Sequence, residues 1–90
     1  MNNIKPPPLN PPTTIPPLRE YVRRALENYF SCLDPDMLPT QLLDLVIEEV
    51  EAPLVEVTLK YLQGNQCKAA ELLGISRSTL RKKIKQYQIS

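Results

Sequence analysis

The sequence predicts an all-α fold: a protomer of four helices that forms an intertwined homodimer and carries a helix-turn-helix at its C-terminal end. Three observations lead to this prediction. Apolar residues recur at intervals of three and four residues, the spacing of one helix face. Asparagine, serine and glycine stand where two short helices would begin and end. The stretch from residue 52 to residue 62 is apolar on nearly every side, so one copy of so short a chain cannot cover it.

The helix-turn-helix is predicted from residues 64–87. Asn65 can cap the first of two short helices, because its side-chain oxygen can accept a backbone N–H of the first turn. Gly74 can end that helix, since a residue without Cβ becomes left-handed at no steric cost, and Ser76 can cap the next one. The facing apolar sides are Ala69, Ala70 and Leu73 on the first helix and Leu80, Ile84 and Tyr87 on the second. The second helix is the one expected to lie in a DNA major groove.

Charge is divided between two parts of the chain, although the net charge is only +1. Residues 64–90 hold six basic residues and one acidic residue, a net +5, whereas residues 18–63 hold four basic and nine acidic residues, a net −5. Such a division suits a protein that presents one edge to a polyanion. The alternative is a solvated basic face on an ordinary helical hairpin. The side chains expected on or beside the outer face of the last helix are Arg77, Ser78, Thr79, Arg81, Lys82 and Lys85.

Composition argues against several classes of function. The chain has no histidine, and Cys32 and Cys67 fit neither a metal-site nor a disulfide spacing. Without histidine, a paired-carboxylate pocket or a glycine-rich phosphate loop, we expect no enzyme, no cofactor and no metal. We expect neither a signal peptide nor a membrane span, and therefore a cytoplasmic protein with reduced thiols.

Three segments are predicted: a proline-rich flexible arm at residues 1–17, dimerisation helices at 18–63 and the DNA-binding helix-turn-helix at 64–90. The arm holds seven of the ten prolines. It includes Pro8-Leu9-Asn10-Pro11, a match to a P-x-x-P docking motif, although we interpret the arm mainly as an extended tail.

The first long helix is predicted from about Leu18 to Cys32, with Pro17 in its first turn and a break at Asp34-Pro35-Asp36. Its basic trio of Arg19, Arg23 and Arg24 is interpreted as a solvated face.

The second long helix is predicted from about Gln41 to Leu62, with Thr40 as its cap and Gly64 as its stop signal. Pro53 lies inside it and would cost a straight helix about 3 kcal/mol, so the segment is either kinked or divided into two helices. A kink is favoured, because the apolar phase continues without a shift from Val50 to Val57.

Several of these residues occur together in a known family. They are Gly64-Asn65-Gln66, Ala69-Ala70, Gly74-Ile75, Thr79-Leu80-Arg81-Lys82-Lys83, Val50-Glu51-Ala52-Pro53-Leu54 and Asn28-Tyr29-Phe30. From Leu18 to Tyr87 the chain resembles the Fis family (factor for inversion stimulation) of bacterial nucleoid-associated proteins. The resemblance implies a homodimer in the nucleoid that organises DNA and regulates transcription. It also implies binding to degenerate, pseudo-palindromic sites with A·T-rich centres, which are bent because two recognition helices lie closer together than the grooves of straight DNA.

The resemblance also assigns roles to particular side chains. Arg77 is expected to reach guanine near each end of the site. Backbone or base contacts are expected from Asn65, Thr79, Lys82 and Lys83, and phosphate contacts from Lys68, Arg81 and Lys85.

Cys67 and Ser76 complete the predicted DNA-binding set, but they stand where well-known members have threonine and asparagine, and Gln86 replaces a lysine. These differences are expected to relax base discrimination and to lower the salt dependence slightly. Cys67 is interpreted as a small helix-start residue rather than a redox-sensitive thiol.

The N-terminal arm departs from the family pattern. The family's β-hairpin contacts a DNA invertase, whereas a proline-rich segment cannot pair as strands. A recombination-enhancer role is therefore not expected, and contact with RNA polymerase or a recombinase is left open. The alternative function is a helical protein-interaction module that uses the arm without binding DNA.

Overall fold

The computed structural model describes residues 17–90, and all regular secondary structure in this part of the chain is helical. The α-helices are α1 (Leu18–Ser31), α2 (Leu42–Tyr61), α3 (Gln66–Leu73) and α4 (Arg77–Gln86), with a short 3-10 helix at Pro35–Met37. The predicted all-α protomer of four helices is therefore confirmed. Apart from Pro17, the predicted proline-rich arm lies outside the described residues. The chain divides into two units, Met1–Leu38 and Pro39–Ser90.

The first unit contains α1, and it begins and ends close to the predicted positions. Pro17 is the residue before the first turn rather than in it, and its carbonyl accepts the backbone N–H groups of Glu20 and Tyr21 at 2.9 and 3.3 Å. The helix ends at Ser31, one residue earlier than predicted. Asp34 starts the 3-10 helix by accepting the N–H of Asp36 at 3.0 Å. The predicted break after α1 is thus confirmed.

The N-terminus of α2 corrects the prediction that Thr40 is its cap. The helix begins at Leu42, so Gln41 occupies the cap position, and no side chain there accepts a backbone N–H. Gln41 is left-handed, with φ 59° and ψ 36°. The left-handed residue turns the chain sharply into the helix and leaves Thr40 one position too early to cap it.

Pro53 lies inside α2 without dividing it. The ring is exposed, and so is Glu49, whose carbonyl loses its helical partner and can be solvated. The two-helix alternative is therefore wrong, while the kink stays a prediction. At its other end α2 stops where Gly64 predicts, through a turn in which the N–H of Gly64 reaches the carbonyl of Leu59 at 2.8 Å. Gln63 is left-handed as well, with φ 55°.

The core of the second unit lies between α2, α3 and α4. Leu80 of α4 is fully buried, as is Ala69 of α3. The remaining buried apolar residues are Val55, Leu59 and Ala70, and Leu62, Leu73, Ile75, Ile84 and Ile89 pack around them. Two consecutive alanines on α3 leave room for the leucine of α4, because a larger side chain at either position would push the helices apart. The predicted facing sides of α3 and α4 are confirmed except for Tyr87, which lies outside this core and donates its hydroxyl to Glu51 of α2.

We predict that Leu80→Ala costs about 2–5 kcal/mol of the free energy of unfolding, because it removes the central core side chain and leaves a cavity. Leu72→Ala is the matched control, since Leu72 lies on the adjacent helix with 66% of its surface exposed. This control should stay within about 0.5 kcal/mol of the unaltered protein. Urea unfolding followed by circular dichroism measures both; similar losses in the two variants would contradict the central place of Leu80.

Candidate nucleic-acid interface

The turn between α3 and α4 is fixed by local hydrogen bonds that the sequence predicts. The Asn65 side chain accepts the N–H of Lys68 at 3.1 Å, and the Ser76 hydroxyl accepts the N–H of Thr79 at 3.1 Å. Gly74 is left-handed with φ 76°, and the N–H of Ile75 reaches the carbonyl of Ala70 at 3.0 Å. The two caps and the glycine turn are confirmed, and they orient α4 relative to α3.

The ten predicted DNA-binding side chains fall into two groups by exposure. Lys83 and Thr79 are half-buried. The other eight are exposed: Asn65, Cys67, Lys68, Ser76, Arg77, Arg81, Lys82 and Lys85. All ten lie in the α3–turn–α4 segment, and Leu80 and Ile84 turn the opposite side of α4 toward α2 and α3. The segment therefore presents exposed cations on the side of α4 that the core does not use.

At the N-terminus of α4, Arg77 contacts the neighbouring helix. Its Nη1 atom donates to the Sγ atom of Cys67 at 3.9 Å, which joins the first turns of α3 and α4. The thiol is a weak acceptor, so a stronger acceptor can displace it from the guanidinium. Arg77 is thus held near the helix start but remains available to another partner.

Three hydroxyl groups cluster at the same end of α4. Ser76 donates to the hydroxyl of Thr79 at 2.9 Å, and its oxygen lies 3.1 Å from that of Ser78. Ser76 also caps the helix, so its oxygen is occupied by contacts within the chain. The observed contacts of Ser76 therefore serve to form the N-terminus of α4.

Lys83 has a partner that the sequence did not predict. Its Nζ atom donates to Oε1 of Glu51 on α2 at 2.8 Å, and the hydroxyl of Tyr87 donates to the same oxygen at 2.7 Å. These hydrogen bonds, first from Lys83 and then from Tyr87, lower the pKa of Glu51 below its ordinary value of 4.5. The bond to the Glu51 carboxylate raises the pKa of Tyr87 to about 12, with a smaller contribution from Glu48. One carboxylate thus links α2 to the C-terminal half of α4.

Glu51 is the residue that sequence reasoning missed. It lies within the Val50–Leu54 stretch that carries the family resemblance, but it is 32 residues away from Lys83 in the chain. No local spacing rule connects positions so far apart. The available signal was weaker: an acidic second helix and a basic last helix that must pack together.

The described residues offer little to other classes of site. They contain no group of three or more histidine, cysteine, aspartate or glutamate side chains that could hold a metal ion. Within residues 17–90, no helix combines the length and the apolar character that crossing a membrane requires.

The Glu51 network should make folding stability depend on pH in two windows. Because the pKa of Glu51 is lowered from 4.5, its stabilising effect is present above pH 4.5 and is lost as the pH falls through the folded-state pKa. Because the pKa of Tyr87 is raised from 10.0 to about 12, its effect is complete below pH 10 and is lost as the pH rises toward about 12. Glu51→Gln should therefore lower the free energy of unfolding most between these windows.

Urea unfolding at a series of pH values measures this difference. Glu56→Gln is the control, because Glu56 is an exposed carboxylate on the same helix. It should keep the pH dependence of the unaltered protein. A constant difference between Glu51→Gln and the unaltered protein at all pH values would rule out the network as its source.

A family model described as bacterial regulatory protein, Fis family, matches residues 46–87, and one described as DNA-binding protein Fis N-terminal domain matches residues 1–35.

The chain is 50% identical over 74 residues to a protein named DNA-binding protein Fis from Actinobacillus succinogenes, which covers 82% of this chain and 74% of that protein. It is 49% identical over 71 residues to the Fis protein of Mannheimia haemolytica, covering 79% and 71%. It is also 50% identical over 72 residues to a putative Fis-like DNA-binding protein of Pseudomonas aeruginosa, covering 80% and 68%. The α2–α3–α4 arrangement and these similarities lead to one conclusion: the chain belongs to the Fis family of bacterial regulatory proteins.

Proposed function

We propose that this chain is a dimeric DNA-binding and DNA-bending protein that organises the nucleoid in the cytoplasm and regulates transcription. The observation that carries the proposal is the two-sided character of α4. Leu80 and Ile84 face the core, while Arg77, Arg81, Lys82 and Lys85 are exposed. Relatives about half identical to this chain are named as DNA-binding proteins. The Fis family also supports the expectation that the chain is not an enzyme.

DNA binding would use the N-terminal half of α4 for base contacts and the remaining cations for phosphates. Arg77 stands at the helix start, where recognition helices contact base edges, and a guanidinium matches the two acceptors of guanine. Lys68 of α3 is exposed near the same end. Exposed cations neutralise phosphates and release counterions, so affinity should fall steeply with salt.

Dimerisation is proposed from the apolar face that α2 leaves uncovered. Val55 and Leu59 pack into the core, but a second apolar stripe remains exposed on the same helix. Its members follow intervals of four and three residues: Leu43, Ile47, Val50, Leu54, Val57 and Tyr61. Leu43 is 72% exposed and Tyr61 80% exposed. A stripe of this length would be covered in a symmetric pair of α2 helices, and residues 18–63 would then serve dimerisation as the sequence predicts.

Bending and the preference for A·T-rich centres rest on the resemblance to Fis. A dimer would hold two copies of α4 at a fixed separation, and a duplex whose grooves are further apart must curve to engage both. Curvature narrows the central minor groove, which costs least where A·T pairs lie. Sequence preference would thus extend to base pairs that no side chain touches.

One combined experiment tests the whole proposal. Gel-shift and bending assays on an A·T-centred duplex at low salt, with the mass measured by sedimentation, should show a dimer that binds and bends DNA. A folded protein that ignores duplex DNA would favour the alternative, a helical protein-interaction module. A folded monomer, or a bound duplex that stays straight, would overturn the dimer or the bending.

We predict that Arg77→Ala and Lys85→Ala weaken DNA binding in different ways. Arg77→Ala should lose discrimination for the outer G·C pairs, at a cost of about 1–3 kcal/mol, because it removes a base contact. Lys85→Ala should weaken binding to all duplexes alike, because a phosphate contact carries no sequence information. Competition gel shifts with specific and random duplexes measure both; the same pattern of loss in the two variants would refute these roles.

We predict that Val57→Glu disrupts the dimer, because it places a charge in the middle of the exposed stripe of α2. Val57 is 61% exposed in the protomer and would be buried in the dimer. An unpaired buried charge costs about 3 kcal/mol or more, so the dimer dissociation constant should rise at least about a hundredfold. Glu56→Lys is the control on the polar side of α2. Sedimentation equilibrium compares the two, and an unchanged dissociation constant for Val57→Glu would place the interface elsewhere.

A further inference from the structure

The carboxylate of Glu51 joins two helices that the proposed function assigns to different tasks. Among the described residues, the other two ion pairs connect Glu20 to Arg23 and to Arg24 within α1. The pair between Glu51 and Lys83 is therefore the ion pair that fixes one described helix against another. Both side chains are partly shielded, with 30% and 24% of their surfaces exposed. Partial burial reduces screening by solvent, so this pair holds its geometry better than a surface pair.

We propose that Glu51 is a positioning residue for α4: its carboxylate binds Lys83 and Tyr87, fixes the angle of α4 on α2 and withholds Lys83 from DNA phosphates. This inference rests on the proposed DNA-binding function. It changes the role of Lys83, which the family resemblance places among the DNA contacts. Lys83 then acts within the protein, and Glu51 influences DNA recognition without touching DNA.

The position of α4 is set at three points along its length. Ser76 caps its first turn, and Leu80 fills the core in its second. In its C-terminal half, the half-buried Ile84 packs against the core, as does Ile89 just beyond the helix, and the two hydrogen bonds to Glu51 add directional polar contacts. Hydrogen bonds to an ionised carboxylate are roughly twice as strong as those between neutral groups. Without these hydrogen bonds, only non-directional apolar contacts would hold this half of α4, and the side chains at its N-terminus would shift relative to the bases.

Lys83 also lies on the side of α4 that faces acidic residues of α2, rather than on the side that carries the exposed cations. Asp44, Glu48 and Glu51 follow one another at intervals of four and three residues along α2. They line a groove of about 320 Å³, whose other side is lined by Lys83 and Gln86 of α4 and by Tyr87, the residue after this helix. A phosphate that approached Lys83 there would meet these carboxylates. If Lys83 moved to a phosphate, Glu51 would keep its negative charge without a cation, close to a polyanion.

The salt dependence of DNA binding distinguishes a positioning lysine from a phosphate contact. Lys82→Gln is the matched control, because Lys82 is the exposed neighbour of Lys83. It should reduce the slope of log K against log salt by about 0.9 for each subunit bound. Lys83→Gln should leave the slope unchanged and lower the preference for a specific over a random duplex by about two- to tenfold, the range of one intramolecular hydrogen bond.

Glu51→Gln supplies the complementary arm. It should reproduce the loss of preference, and it should steepen the salt slope because Lys83 becomes free to meet phosphates. The double variant Glu51→Gln/Lys83→Gln should lose no more preference than either single variant. Lys83→Arg should retain the preference of the unaltered protein, because a guanidinium also pairs with a carboxylate.

A measurement without DNA tests the contact itself. The chain has four tyrosines, and phenolate absorbance follows their ionisation. One tyrosine of the unaltered protein should ionise near pH 12, and in Glu51→Gln its pKa should fall toward 10.0. The charged groups around Tyr87 are Asp44, Glu48 and Glu51 of α2 and Lys83 of α4. Glu48→Gln should lower this pKa less than Glu51→Gln does.

The outcomes separate this inference from the proposed function. If the unaltered protein binds neither duplex, the proposed function fails and the role of Glu51 in recognition fails with it, whatever the tyrosine titration shows. If the protein binds DNA and Lys83→Gln reduces the salt slope as Lys82→Gln does, Lys83 is a phosphate contact and this inference is overturned. Equal losses on both duplexes in Glu51→Gln, or an unchanged tyrosine titration, overturn it as well.

Discussion

The burial of Leu80 is the contact on which the α2–α3–α4 unit depends. Its side chain is fully enclosed by residues of three helices, and Ala69 and Ala70 are small enough to admit it. Because the core is so small, few other residues determine how α4 lies on the rest of the unit. The proposed DNA-binding surface follows from the burial of Leu80, since this burial decides which side of α4 is exposed.

The burial of Leu80 also separates the positive and negative charges of this unit in space. Because Leu80 and Ile84 face the core, the exposed cations of α4 lie on its outer side. Asp44, Glu48 and Glu51 of α2 line the groove beside the C-terminal end of α4. Lys83 lies between these two charged surfaces, and its Nζ atom binds the carboxylate of Glu51. The cations of one short helix thus serve two purposes, because one of them stabilises packing while the others remain exposed to a polyanion.

Helix α2 has two apolar sides, and the core of the protomer covers only one of them. Val55, Leu59 and the half-buried Leu62 belong to the core of the second unit, whereas Leu54, Val57 and Tyr61 face outward in the protomer. A helix that serves one core needs one apolar side. The second side is unexplained by the protomer and is the physical reason for proposing a second copy.

Much of the local structure could be predicted from the residues alone, because it depends on neighbours in the chain. Asn65 and Ser76 cap helices through oxygen atoms that reach an N–H three residues later, and Gly74 becomes left-handed because it lacks a Cβ. The start of α2 was predicted wrongly for the opposite reason. Glutamine has no strong preference for the left-handed conformation, so nothing at Gln41 announced that it would displace Thr40 from the cap position. The family resemblance assigns Lys83 by its position in a motif, and the contact with Glu51 could not be predicted from that position.

The sequence by itself determined the all-α class, the helix-turn-helix and its caps, and the division of charge, because helical periodicity, capping and composition are properties of short stretches. Only the tertiary structure decided that Lys83 and Tyr87 share the carboxylate of Glu51, and which apolar side of α2 is consumed by the core. Those facts depend on the angle at which helices distant in sequence cross. That angle depends on tertiary contacts such as the fit of Leu80 between side chains of α2 and α3, which no periodicity along the chain encodes.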